Sequence, residues 1–115
     1  MPHLIIEYAD DVISPEGARL LVDTVYVAAE QTGMFAPLNI KVRAIPVMIY
    51  RLGISGKGFV HVQCRIHEGR SAEQKKHLTE SILGDLKALA LDVAVITVEV
   101  SDMDHESYAK TLSDS

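Results

Sequence analysis

Apolar and polar positions alternate along the chain in a way that predicts four strands and two helices. Residues 3–8 form a short apolar run typical of a buried strand. Alternation predicts further strands over 40–45 and 59–67, and a last strand over 93–100. The strand at 59–67 is the clearest, because one of its faces is entirely apolar: Val60, Val62, Cys64 and Ile66.

Start and stop signals place one helix after the first strand and another after the third. Ser14 can accept a hydrogen bond from an unpaired backbone N–H, Pro15 suits the first helical position, and Gly33 suits the end. Ser71 and Gln74 have the spacing of a capping box. The apolar residues that follow recur at helical spacing: Ala18, Leu21, Val22, Val25, Ala28 and Ala29 in the first helix, and Leu78, Ile82, Leu83, Leu86 and Leu89 in the second.

The segments between and after these elements are predicted to be irregular. Pro46 makes a central strand beyond that point unfavourable, because proline has no N–H to donate to a sheet. We expect an extended arm over 47–52 and a flexible glycine-rich turn over 53–58. The polar, acidic residues 101–115 are expected to form a C-terminal arm or tail.

The predicted element order is β-α-β-β-α-β, and it repeats itself. Ser14 and Ser71 each cap a helix that lies between two predicted strands. Right-handed crossovers then place both helices on one face of a single four-stranded sheet. We therefore expect one α+β domain over residues 1–115, with a two-fold β-α-β repeat.

The sheet face turned away from the helices mixes polar and apolar side chains. We expect it to carry His61, Gln63, Arg65, Val93, Val95 and Thr97. A single layer of helices leaves this face open, so it is either solvated or buried between subunits. Because valines are interleaved with the polar groups, we favour burial in an oligomer.

Composition narrows the classes of protein. With 115 residues, 48% of them hydrophobic, the chain has the length of one folded domain. The formal net charge of -5 argues against general nucleic-acid binding, although a few local arginines could still bind a small anion. No apolar run approaches the ~18 residues that span a membrane, and the N-terminus lacks the basic start of a secretory signal. We expect a cytoplasmic protein that binds neither nucleic acid nor membrane.

The sharpest local feature is the Met-Pro start. If Met1 is removed, Pro2 becomes a free secondary amine at the tip of a buried strand. An α-amino group titrates near ~7.7–8.0, and an apolar pocket with neighbouring cations lowers that pKa. Proton transfer needs a base tuned near neutral pH, although a proline at position two often has no function at all.

Three basic residues are candidates for binding an anion. Arg70 lies in a glycine-containing loop before a helix N-terminus, where guanidinium, backbone N–H groups and helix dipole converge. A solvated surface arginine is an equally good interpretation of that loop. Lys41 and Arg43 share one face of the second strand.

A metal site is not expected. His61, Cys64 and His67 are close in sequence, but strand alternation places Cys64 on the opposite face from both histidines. A single cysteine also excludes an internal disulfide, so Cys64 is interpreted as a small core residue.

Taken together, five segments resemble the 5-carboxymethyl-2-hydroxymuconate Δ-isomerase family of the tautomerase superfamily. They are Met-Pro-His at the start, Thr32-Gly33-Met34-Phe35, Ile40-Lys41-Val42-Arg43, Phe59-Val60-His61 and Gly69-Arg70-Ser71. The resemblance covers residues 1 to about 100 and becomes loose beyond Ser101.

The resemblance implies a tautomerase-like trimer in which an amino-terminal proline is the catalytic base. Pro2 would move the proton, Arg70 would bind a substrate carboxylate, and Lys41 or Arg43 would supply a further basic contact. The implied reaction is the isomerisation of a polycarboxylated hydroxymuconate in aromatic-acid catabolism, without cofactor or metal.

Two other functions remain open at this point. The chain could be a non-catalytic trimeric binding protein of the same fold, in which Pro2 is incidental. It could also be a ferredoxin-like small-molecule sensor domain, which would pair instead of forming a closed trimer. Element order alone does not separate a ferredoxin-like sheet from a tautomerase-like one.

Overall fold

The computed structural model describes residues 1–113, and its helices and strands follow the predicted order. They are β1 (His3–Ala9), α1 (Pro15–Gln31), β2 (Lys41–Val47), β3 (Phe59–His67), α2 (Ala72–Ala88) and β4 (Val95–Met103), with short 3₁₀ turns at Pro37–Asn39 and His105–Ser107. Neither α-helix within residues 1–113 is long and apolar enough to cross a bilayer.

The four strands form one sheet in the order β2-β1-β3-β4. Each β-α-β half contributes a parallel pair, β1 with β2 and β3 with β4, and the two halves meet antiparallel at β1 and β3. In a ferredoxin-like sheet another strand separates the two strands of each β-α-β unit. The adjacency of β1 and β2 therefore excludes the ferredoxin-like alternative.

A single apolar core lies between the sheet and the two helices. Its fully buried side chains come from both layers and include Leu4, Ile6, Val60, Val62, Cys64 and Ile66 of the sheet, and Leu21, Val25, Leu78, Ile82 and Leu86 of the helices. Burial raises the pKa of the Cys64 thiol to about 12, which fits its predicted role as a core residue. Leu83 departs from the prediction and is 39% exposed, because it follows Ile82 by one residue and lies about 100° around the helix from it.

The helix ends are the predicted ones. Ser14 Oγ accepts a hydrogen bond from the backbone N–H of Gly17. Ser71 and Gln74 form both hydrogen bonds of a capping box. Gly33 follows the end of α1 with a positive φ of 72°, a conformation that glycine adopts without strain.

Two strand boundaries differ from the predictions. β2 continues through Pro46 to Val47, because it is the edge strand of the sheet and needs fewer backbone donors. The strand predicted over 93–100 runs instead from Val95 to Met103. The arm predicted over 101–115 is therefore wrong for residues 101–103, and the part of it at 114 and 115 lies outside the described residues.

The open face of the sheet is mixed, as predicted. The register places Thr97 beside His61 and Glu99 beside Gln63. His61 Nδ1 lies 2.7 Å from Thr97 Oγ1, and His61 Nε2 lies 2.6 Å from Glu99 Oε2. Val93, which was also predicted on this face, precedes the strand.

Candidate active site

Pro2 lies at the amino end of β1, in the interior of the protein. Its side chain is fully buried, and its carbonyl oxygen accepts a hydrogen bond of 3.1 Å from the backbone N–H of Lys41. The first residue of β2 is thus held directly beside Pro2. This is the position at the tip of a buried strand that the sequence predicts.

Positive charge surrounds the amine that precedes Pro2. Burial lowers the pKa of the Met1 amine from its ordinary value, and nearby cations lower it further. Those cations are Lys41, Lys110 and Arg70. Burial and these cations therefore both disfavour the ammonium form of the amine at this end of the chain.

Two lysine side chains converge on the Met1 sulfur. Lys110 Nζ lies 3.1 Å from Met1 Sδ, and Lys41 Nζ lies 3.9 Å from the same atom. Lys41 Nζ also donates to the carbonyl oxygen of Asn39 at 3.2 Å. No sequence pattern singles out Lys110, since it lies in the segment predicted as a polar tail.

Arg70 is held against the loop that follows α1. One of its N–H groups donates to the carbonyl oxygen of Met34, and its guanidinium lies 5.4 Å from the centre of the Phe35 ring. The side chain is half-buried. Arg70 is therefore a positioned cation and not a freely solvated one. The segment Thr32-Gly33-Met34-Phe35 and the segment Gly69-Arg70-Ser71, which both carried the family resemblance, are in contact here.

Arg43 lies on the same face of β2 as Lys41 but makes different contacts. Its Nη1 lies 3.3 Å from His3 Nδ1, and the opposite ring nitrogen of His3 lies 2.9 Å from the hydroxyl of Tyr108. These residues border a cavity of about 310 Å³, lined by His3, Arg43, Arg65, Met103, Asp104, Ser107 and Tyr108. Lys41 and Arg43 share a strand face as predicted, but only Lys41 contacts Met1.

His67 is a further residue of this region that sequence reasoning did not assign to it. Its Nδ1 is buried and has no hydrogen-bond partner among the described residues. Its ring lies 4.9 Å from that of Tyr108 and 5.8 Å from that of His105, centre to centre. Burial lowers the pKa of His67, and the charge of the chain's amine lowers it further.

The histidine and cysteine side chains considered for a metal site lie on opposite faces of β3. Within residues 1–113, no group of three or more histidine, cysteine and acidic side chains could hold an ion. Cys64 is buried on the helix side of β3, and His61 lies on the other side with Thr97 and Glu99.

A larger cavity, of about 400 Å³, lies at the far end of β1 beside Tyr8 and is not near Pro2.

Comparison with protein families gives a match along most of the chain. The model of a family described as 5-carboxymethyl-2-hydroxymuconate isomerase matches residues 2–111. No curated protein sequence matches the chain significantly.

Solved structures share the fold. A 5-carboxymethyl-2-hydroxymuconate isomerase from Deinococcus radiodurans R1 is 25% identical with a TM-score of 0.78, covering 96% of this chain and 88% of that chain. A 5-carboxymethyl-2-hydroxymuconate delta-isomerase is 23% identical with a TM-score of 0.69, covering 99% of this chain and 89% of that chain. A fused 4-OT wild-type symmetric trimer is 17% identical with a TM-score of 0.66, covering 88% of this chain and 85% of that chain.

Proposed function

The chain belongs to the 5-carboxymethyl-2-hydroxymuconate isomerase family and is an isomerase with the tautomerase fold, and on this premise we propose that it shifts a proton within a polycarboxylated 2-hydroxymuconate, with Pro2 as the base. One observation carries the proposal. Pro2 is buried at a chain end where burial and three cations already lower the pKa of the neighbouring amine.

Removal of Met1 would turn the Pro2 nitrogen from an amide into a secondary amine. While Met1 is attached, that nitrogen has no basic lone pair. The freed amine would lie close to Lys41 and Arg70, which disfavour its protonation. A lowered pKa enlarges the neutral fraction of the amine, and the neutral form is the one that a general base requires.

The proposed reaction has three steps. Neutral Pro2 accepts the enol proton of the substrate, or an acidic proton of its tautomer. Arg70 and Arg43 hold substrate carboxylates and draw negative charge toward one end of the conjugated system, which stabilises the dienolate. The prolinium ion then returns the proton to a different carbon and gives the conjugated ketone.

The basic residues have different parts in this proposal. Arg70 and Lys41 lie at the Pro2 end of the sheet, whereas Arg43 lies beside His3 at the neighbouring cavity. A substrate with carboxylates at separate positions could reach both regions at once. Proton transfer of this kind needs only the amine and the cations, so we propose a reaction without cofactor.

We further propose that the protein is a cytoplasmic homotrimer of aromatic-acid catabolism whose partner is a small carboxylate. The mixed, uncovered face of the sheet supports an oligomer. The net charge of -5 supports a partner other than nucleic acid or an anionic membrane.

A non-catalytic binding protein of the same fold is the second candidate function. It is favoured only by the contacts that Met1 makes with Lys41 and Lys110, because a retained methionine would leave Pro2 without a basic nitrogen.

A tautomerase assay with a panel of 2-hydroxymuconates separates the two functions. Protein that begins at Pro2 should convert at least one of them, and protein that keeps an N-terminal extension should not. Equal activity of the two forms would show that Pro2 is not the base.

A further inference from the structure

The segment after β4, residues 104–113, crosses back over the amino end of β1. Tyr108 fixes its path: the hydroxyl lies 2.9 Å from His3 Nε2, and the ring packs edge-on against the ring of His67. Lys110 follows Tyr108 by two residues and reaches Met1. The C-terminal segment therefore delivers a cation to the candidate active site from a part of the chain far from Pro2 in sequence.

The acceptor that Lys110 meets there is a poor one for a cation. A thioether sulfur is a weak, neutral hydrogen-bond acceptor, yet two ammonium groups lie within 4 Å of it. Neither Lys41 nor Lys110 forms an ion pair among residues 1–113. Two unpaired positive charges that converge on one atom mark a place where an anion would be held.

We propose that Lys41 and Lys110 together form a carboxylate-binding site at the position of the Met1 sulfur, opened when Met1 is removed. This inference rests on the proposed function, since it takes one carboxylate of that substrate as the ligand. It adds Lys110 as a binding residue and makes the C-terminal segment part of the site.

The chemistry favours a carboxylate over the sulfur it would replace. Hydrogen bonds between an ammonium and a carboxylate are charge-assisted and roughly twice as strong as neutral ones. The negative charge would also offset the repulsion between the two lysines. Met1 itself would act as an occupant of the site, so the unprocessed chain would bind carboxylates weakly.

Binding of cis,cis-muconate tests the inference without turnover. Muconate is a dicarboxylate that lacks the 2-hydroxyl group, so it cannot ketonise and serves as a stable probe. Calorimetric titration of the form that begins at Pro2 should show binding that Lys110→Gln weakens about ten- to a hundredfold, the range for a lost hydrogen bond to a charged group. Lys110→Arg should retain most of the affinity, because it keeps the charge.

Two controls separate local from general effects. Lys57→Gln removes an exposed lysine that pairs with Asp11 at 3.6 Å, and it should leave muconate affinity unchanged. Lys110→Gln in a form that keeps Met1 should change little, because the sulfur already fills the position.

The outcomes distinguish this inference from the proposed function. Unchanged muconate affinity in Lys110→Gln, or no muconate binding by the form that begins at Pro2, would overturn the inference. Isomerase activity is measured separately. If the form that begins at Pro2 isomerises hydroxymuconates and Lys110→Gln leaves KM unchanged, the proposed function stands and the lysine site is overturned. A KM raised by Lys110→Gln with kcat nearly constant would support a binding role.

Discussion

Arg70 donates a hydrogen bond to the backbone carbonyl of Met34, and this contact joins the loop before α2 to the loop after α1. The two loops belong to different β-α-β halves, so the contact links the repeats at the end of the sheet where Pro2 lies. The same guanidinium lies over the Phe35 ring, which fixes its plane. Arg70 is thereby positioned before any ligand arrives.

Replacement of Arg70 should impair catalysis more than folding. If it stabilises developing negative charge, Arg70→Ala should lower kcat about 10²–10³-fold, as for loss of a preorganised donor. Arg70→Lys should fail almost as badly, because an ammonium cannot reproduce planar bidentate donation. Steady-state kinetics check this, with Arg51→Ala, an exposed residue just before the glycine-rich turn, as control. If both Arg70 variants have wild-type kinetics, Arg70 is not part of the active site.

Pro2→Ala tests the base directly. The processed variant keeps an amine, but a primary one with a different position and basicity. Loss of a general base typically costs roughly 10²–10⁴-fold in rate, so most but not all activity should disappear. The measurement is kcat of the purified variant, with circular dichroism to show an intact fold. An unchanged rate in a folded variant would contradict the assignment.

The capping box of α2 should contribute measurably to stability. Ser71→Ala removes the hydrogen bond from the Gln74 N–H to Ser71 Oγ and should lower the free energy of unfolding by about 0.5–2 kcal/mol. Urea denaturation measures it, and Ser55→Ala in the exposed turn is the matched control. Because Ser71 follows Arg70, a kinetic effect of Ser71→Ala would show that the cap also positions the arginine.

The proposed trimer would bury the open face of the sheet between its subunits. Light scattering at micromolar concentration should give three times the chain mass of 12.6 kDa. Val95→Asp places a charge on that face and should lower the mass, whereas Val27→Asp on the exposed side of α1 should not. A mass near that of one chain for the wild type would contradict the trimer.

The sequence predicted the elements best where hydrophobic periodicity and capping agreed. β3 and both helix starts were correct because alternation, Ser14 and the Ser71 capping box all pointed to the same boundaries. β4 was misplaced because its last residues are polar. Asp102 is tolerated in that edge strand, where it pairs with Lys75 of α2 at 2.9 Å.

Only those residues of the candidate site that belong to short local motifs could be predicted from the sequence. Pro2 and Arg70 belong to short segments with a recognisable pattern, and the structure places both at the same end of the sheet. The sequence around Lys110 has neither hydrophobic periodicity nor a helix-capping residue that would predict its position. Its position depends on the contact between Tyr108 and His3, which are 105 residues apart, and no local pattern encodes such a contact.

The pH dependence of activity should report the cations around the base. Burial is the largest cause that lowers the pKa of the amine at this end of the chain, and Lys41 is the next. A general base acts in its neutral form, so kcat/KM should rise as pH increases through the pKa of the Pro2 amine. Removing a neighbouring positive charge stabilises the ammonium form and raises that pKa.

Lys41→Gln should therefore move the acidic limb of the kcat/KM profile to higher pH. Lys41→Arg, which keeps the charge, should leave the limb near its wild-type position even if KM changes, and Lys57→Gln should not move it at all. The position of the limb, and not the height of the profile, is the decisive quantity, because Lys41 is also proposed to bind substrate. A limb that stays in place in Lys41→Gln would mean that the titrating base is not the amine beside Lys41.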